Sequence, residues 1–238
     1  MKTMLYGIRV QLKMDIRSKT LLVTCYVVPL LFFAIMGGIF TSLMPEAKHT
    51  LIQSMTVMGV SMGALIGVPP SMIEVYSTDI KKMYIANGIP LCFGVITLVV
   101  SAFIHLMIMS IIIFALAPIV FHSTIPSNIP LYFITLALFV IVSLTISCVL
   151  GLAVKNQAKL TMYSQVVFLP SIMLSGIMFS AELLPNFLES MGKLFPATWG
   201  YTLLIQKNIE VSTFIPLVFI LIISVFVSVQ LLKKIRSE

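Results

Sequence analysis

The chain has 238 residues, 59% of them hydrophobic and 10% charged, with a mean hydropathy of +1.11. Soluble domains are about 45–50% apolar and about 25% charged, so a soluble globular fold is excluded, as are disorder and, with three Cys over this length, a disulfide scaffold. In so apolar a chain the formal charge of +7 is a guide to membrane orientation rather than to nucleic-acid binding.

Sixteen Met and sixteen Phe with a single Trp point to apolar helices, because the alternating strands of a barrel would need many more polar, lumen-facing residues. The sequence therefore predicts an all-α integral membrane protein. At the start, Met1, Leu5, Ile8, Leu12 and Ile16 recur at helical spacing with Lys2, Arg9, Lys13 and Arg17 mostly on another face. Residues 1–20 read as an amphipathic helix in the interface, lying either on lipid or against a cytoplasmic partner.

A spanning helix needs about 20 apolar residues. Six segments qualify: 21–43, 51–70, 91–117, 131–154, 162–179 and 214–232, none containing Asp, Glu, Lys or Arg. The first apolar run begins near residue 20 and is long enough to span, so it is expected to stay in the mature protein rather than act as a signal peptide. Twelve Lys and Arg fall before span 1, after spans 2 and 4, and after span 6; three, Lys48, Lys193 and Lys207, fall in the other connections. The positive-inside rule then places both termini in the cytoplasm.

In span 1, Phe32, Phe33, Met36 and Phe40 either line an adaptable apolar path or pack and face lipid. In span 2, Gly59, Gly63 and Gly67 form a row without side chains, against which another helix can pack closely. Gly59 to Gly63 also fits G-x-S-x-G, but a nucleophile elbow must join a strand to a helix, and this stretch lies within an apolar helix. His105 in span 3 is either an intramembrane functional group or a neutral imidazole bonded to a neighbour. Packing is the expected role of Cys25, Cys92 and Cys148.

After span 2, Met72, Tyr76, Ile80 and Met83 recur at helical spacing, with Glu74, Ser77, Thr78, Lys81 and Lys82 between them. This predicts a cytoplasmic helix over residues 72–85. Pro69 and Pro70 are expected to break the span, Ser71 and Glu74 to form a capping box, and Asn87, Gly88 and Pro90 to close the helix. Such a capped helix suggests a docking surface; the other reading is a solvated connector lying on lipid. Residues 180–213 are too long for a turn and too apolar for a solvated loop; Pro185 is expected to open one short helix and a second to run from about 197 to 208, carrying Trp199 and Tyr201, the two forming a re-entrant pair that dips into the outer leaflet.

No G-x-x-x-x-G-K-[ST] loop, no H-E-x-x-H, no metal-ligand spacing among His49, His105 and His122, and no paired carboxylates within the spans occur. No catalytic, cofactor or metal residue is therefore predicted, and the energy for any transport is expected from outside the chain.

Six spans, a leading amphipathic helix, a cytoplasmic helix between spans 2 and 3 and a helical outer segment between spans 5 and 6 resemble the ABC type-2 exporter permeases over nearly the whole chain. The most specific residues are Gly176-Ile177-Met178-Phe179, Leu184-Pro185-Asn186-Phe187-Leu188, and Leu194 to Trp199 with Pro196. Ser180 stands where many members have Pro. Glu74 with Lys81 and Lys82 is similar to the family's acidic-then-basic coupling helix, although Val75, Tyr76, Thr78 and Asp79 depart from its usual continuation. The resemblance implies that residues 74–82 sit on a nucleotide-binding ATPase subunit that holds ATP and Mg. It implies a second permease, identical or related, and outward movement of an amphiphilic substrate through the cleft between them, in a bacterial cell membrane. Such a subunit is a transport component without its own ATPase site. The other reading of the residues is an ATP-independent membrane module, either a secondary transporter or a non-transporting sensor or immunity protein.

Overall fold

The computed structural model describes residues 2–178, 184–206 and 210–237. Met1, Phe179, Ser180, Lys207 and Asn208, which figure in the expectations above, lie outside the described residues. Among the described residues every regular element is helical. In chain order these are α1 (Lys2–Arg17), α2 (Lys19–Leu43), a 3-10 turn at Pro45–His49, α3 (Leu51–Tyr76), α4 (Asp79–Ala86) and α5 (Leu91–Phe121). They continue with α6 (Ile129–Ala153), α7 (Gln157–Met173), α8 (Asn186–Gly192), α9 (Pro196–Ile205) and α10 (Val211–Ser237).

Five helices, α2, α3, α5, α6 and α10, are long and apolar enough to cross a membrane, and the chain is a multi-pass membrane protein. The predicted span 162–179 corresponds to α7, which begins earlier, at Gln157, and ends at Met173 after 17 residues. Leu174 to Gly176 then turn, with Gly176 at φ 82°. Predicted spans 3, 4 and 6 are extended: α5 runs through Pro118 to a left-handed His122 at φ 53°, α6 starts at Ile129, and α10 continues through Lys233, Lys234 and Arg236.

The centre of the fold is α3. Every residue from Leu51 to Ser61 is buried, Gln53, Ser54, Thr56 and Ser61 included, and the helix touches α2, α5, α6, α7 and α9. Two of these polar side chains are answered by neighbours: Tyr132 of α6 donates to Thr56 Oγ1 at 2.9 Å, and Ser54 donates to the Tyr201 hydroxyl of α9 at 3.2 Å.

The expected break after span 2 is corrected here. Pro69 and Pro70 do not break α3. A π turn at Gly63–Gly67 precedes them, closed by the Val68 N–H on the Gly63 carbonyl at 3.2 Å, and the prolines occupy the first turn of the following α-helical segment. In a first turn the missing N–H groups cost little. The predicted capping box at Ser71 and Glu74 is therefore not formed, because the helix is already running; the cap is Thr78, whose Oγ1 accepts from Ile80 N at 3.4 Å and opens α4. The single helix expected over 72–85 is the end of α3 and the whole of α4, bent at Ser77 and Thr78.

The apolar row of α1 is divided, with Leu5 and Ile16 65% and 57% exposed, as a helix lying on lipid allows, and Ile8 and Leu12 half-buried. Beside them Gly7 lets α1 approach Phe93 and Thr97 of α5, and Asp15 is buried. A buried carboxyl decides this orientation, because Asp15 bonds both Gln11 Nε2, at 2.8 Å, and Ser101 of α5.

Candidate functional site

At the basic end of the bundle, a groove of about 600 Å³ is lined by Tyr76, Ser77, Thr78, Asp79, Lys81 and Lys82, with Gly151, Lys155 and Ile235 on the facing walls. Six of the seven residues singled out by sequence for docking thus share one groove. The seventh, Glu74, is exposed on the last turns of α3, where its carbonyl accepts from Thr78 Oγ1 at 2.5 Å. Residues Gly151, Lys155 and Ile235 were not singled out; the only cue was an isolated Gly inside an apolar helix. Gly151 has a packing reason, since a Cβ there would come 2.6 Å from Met72 Cβ of α3.

The groove's geometry follows from local chemistry. Thr78 caps α4, and Asp79 in its first turn suits the positive helix N-terminus. Lys82 Nζ donates to Asp79 Oδ1 at 2.8 Å. That hydrogen bond, followed by the charge, holds the Asp79 carboxyl below its ordinary range and lifts the Lys82 ammonium. Ile80 and Met83 are 39% and 62% exposed beside these charges, so α4 offers a mixed apolar and charged surface. Tyr76 ties this surface to the bundle by donating to the Leu91 carbonyl of α5 at 2.5 Å.

From the groove, α3 runs as one helical stretch to the opposite end of the bundle. Its 26 residues correspond to roughly 39 Å of helix. There Leu51 and Ser54 line a second cavity, of about 450 Å³, with Phe40, Glu46, Thr50, Ser175, Thr198, Tyr201 and Gln206 among its walls. Predicted outer-segment residues build its surroundings: Gly176 lines the cavity, Leu184 and Pro185 lead into α8, and Pro196 opens α9. Trp199 Nε1 donates to the Lys193 carbonyl at 2.7 Å and Thr198 Oγ1 to the Gly192 carbonyl at 2.6 Å, which joins α9 to α8.

Midway along α3 the glycine row meets side chains of the same chain. A Cβ on Gly59 would lie 2.9 Å from Met109 Cε of α5, one on Gly63 would meet Leu106, and one on Gly67 would lie 3.2 Å from Cys25 Sγ of α2. Cys25 belongs to a second π turn, Val23–Val27, packed on the π turn of α3. Both helices are thus locally unwound where they touch, the usual setting of a bend or hinge.

The apolar path suggested in span 1 is not assembled as one surface. Phe33 is buried edge-on against Phe121 at 5.2 Å between ring centres, Phe32 is 37% exposed, Met36 is half-buried, and Phe40 reaches the 450 Å³ cavity. His105 is buried and hydrogen-bonded through Nδ1 to the Tyr26 hydroxyl at 2.8 Å. Asp15, one helical turn from His105 through Ser101, is the polar group that sequence reading missed.

Among the described residues no group of three or more His, Cys, Asp or Glu is placed to hold a metal ion. Compared with known proteins, residues 6–209 match the family described as ABC-2 type transporter. No curated protein matches the chain.

Proposed function

The chain belongs to the ABC-2 type transporter family, and from that premise we propose that it is the permease subunit of an ATP-driven exporter. The six-span topology with cytoplasmic termini belongs to this reading, with α7 as the fifth span. ATP and Mg are held by a separate nucleotide-binding subunit that docks on α4 and the groove beside it. The substrate is amphiphilic, a drug, antimicrobial peptide or lipid-linked molecule, and it leaves through the cleft formed with a second permease.

The observation that carries this reading is the continuity of α3. One enclosed helix ends at the docking groove through Tyr76 and at the opposite cavity through Leu51 and Ser54. A push on α4 is passed along α3 as a continuous rod, and the wall of the far cavity moves with it. The mixed lining of that cavity, Phe40 and Met44 beside Glu46, Thr50 and Gln206, suits a molecule with one apolar and one polar part. Exposed Thr161 and Gln165 on α7 support a pairing face there, because a lipid-facing helix would keep such groups covered.

Charge reversal tests the docking part. Lys81→Glu with Lys82→Glu is expected to abolish co-purification of the ATPase subunit while leaving membrane insertion intact. Normal co-purification of that double variant would remove α4 from the docking surface. Transport by vesicles containing this chain alone, after ATP depletion, would replace the reading with an ATP-independent module.

A further inference from the structure

A separate groove of about 400 Å³ opens beside α4, between the start of α5 and the end of α10. On one side Val229, Leu232, Lys233 and Arg236 form a single stripe of α10, at spacings of three, one and three residues. The facing wall comes from the junction of α4 and α5 and includes Ile85 and Ile89. The composition is divided: apolar along its length, with two cations at the mouth. Ile85, Ile89 and Val229 are 48%, 37% and 44% exposed, so their apolar surface is not used inside the chain. Lys233 and Arg236 are exposed and make no ion pair among the described residues.

We propose that this groove binds an anionic phospholipid, with the phosphodiester between Lys233 and Arg236 and an acyl chain along Ile85, Ile89, Val229 and Leu232. Charge complementarity selects the occupant. A neutral lipid would satisfy the apolar wall but not the cations, and a free anion would satisfy the cations but leave the apolar wall uncovered. Basic pockets between spanning helices are the physical form that recognition of acidic headgroups takes. Pro90, which also lines the groove, precedes α5 without a side-chain cap, so the positive end of a 31-residue helix adds to the attraction. The competing role for Lys233 and Arg236 is to offset the negative end of the α10 dipole, and in that case lipid identity makes no difference. A bound lipid would also brace the end of α4 against α10. That consequence rests on the proposed docking role; the binding does not, so the two can fail separately.

The test titrates the full-length chain, purified and delipidated in neutral detergent, with phosphatidylglycerol or phosphatidylcholine of identical acyl chains, and counts retained adducts by native mass spectrometry. The wild-type chain is expected to retain one phosphatidylglycerol after phosphatidylcholine is lost. Lys233→Gln with Arg236→Gln should weaken that adduct about 30-fold, from the typical contribution of two cations near a membrane surface. Lys234→Gln, which lies off the groove, should leave it unchanged, and Leu232→Gln should weaken it without removing a charge. Equal retention of the two lipids by the wild type would overturn the proposal, as would an equal loss in Lys234→Gln. Displacement of the lipid by inorganic phosphate would mark a free-anion site and overturn it as well.

Discussion

The buried carboxyl of Asp15 in α1 accepts a hydrogen bond from the Ser101 hydroxyl of α5, at 4% and 0% residue exposure. This contact fastens the leading helix to the bundle. Hydrogen bonds to charged groups contribute about 1.5–3 kcal/mol, and residues in one such network are not additive. A double-mutant cycle with Asp15→Ala and Ser101→Ala, read by thermal unfolding in mild detergent, should therefore show a coupling of about 1.5–3 kcal/mol. In hydrogen exchange, α1 should lose protection in either single variant. Strictly additive effects would mean that the contact does not hold α1.

Why this contact was not legible in the sequence has a physical reason. Apolar periodicity reports a face that avoids water, and for α1 it picked Leu5, Ile8, Leu12 and Ile16, a row that suits lipid as well as protein and is only partly covered. The face that docks is marked by the opposite signals: a missing side chain at Gly7 and polar groups at Gln11 and Asp15 whose partners lie far away in sequence. The glycine row of α3 was legible because three side-chain gaps at a helical repeat have a clear packing meaning, though not which helix fills them. Proline misled at positions 69 and 70, since its effect depends on whether the residue falls inside a helix or in a first turn, and the π turn that makes the difference leaves no mark in the sequence pattern.

Cys25 and Gly67 set the spacing of the two π turns. With Cys25 Sγ at 3.2 Å and Thr24 Cβ at 3.4 Å from a built Cβ, Gly67→Leu cannot be accommodated without pushing α2 from α3. Overpacking of this kind costs about 1–3 kcal/mol. Gly59→Ala should be milder, because the atom it meets is the mobile end of Met109. Cys25→Ala should recover part of the stability lost in Gly67→Ala. Equal melting temperatures for Gly59→Ala and Gly67→Leu would show that the row is not close-packed in the membrane.

The α4 helix depends on its cap. Thr78→Ala should cost about 1 kcal/mol of local stability, seen as faster hydrogen exchange over residues 79–86 with the spanning helices unaffected. Its pH response follows from Asp79, whose carboxyl is held below its ordinary value of 3.8 by the hydrogen bond and charge of Lys82. A depressed carboxylate stabilises the folded form fully above its unfolded value, and the contribution is lost as pH falls through the lower, folded one. Protection of α4 should therefore be flat at neutral pH and decline only in acid, below the ordinary carboxylate range, and Asp79→Asn should flatten that decline. A decline centred near neutrality would assign the response to another group.

Tyr76 is the remaining link between docking and the bundle. Its hydroxyl reaches the Leu91 carbonyl at 2.5 Å, so the end of α3 and the start of α5 move together. Tyr76→Phe keeps the ring in its buried site and removes only this bond, a loss of about 0.5–1.5 kcal/mol. The fold and the ATPase association should survive, because the exposed surface of α4 is untouched, whereas movement passed from α4 to the far cavity should shrink. Spin labels at Met83 on α4 and Ala47 at the cavity measure that movement as a distance change on adding ATP to the assembled complex. A full-sized change in Tyr76→Phe would take this bond out of the transmission path and leave the burial of Tyr76 as the element that holds the elbow rigid. Loss of the ATPase subunit instead would show that Tyr76, which lines the groove at 6% exposure, supports the docking surface through this bond.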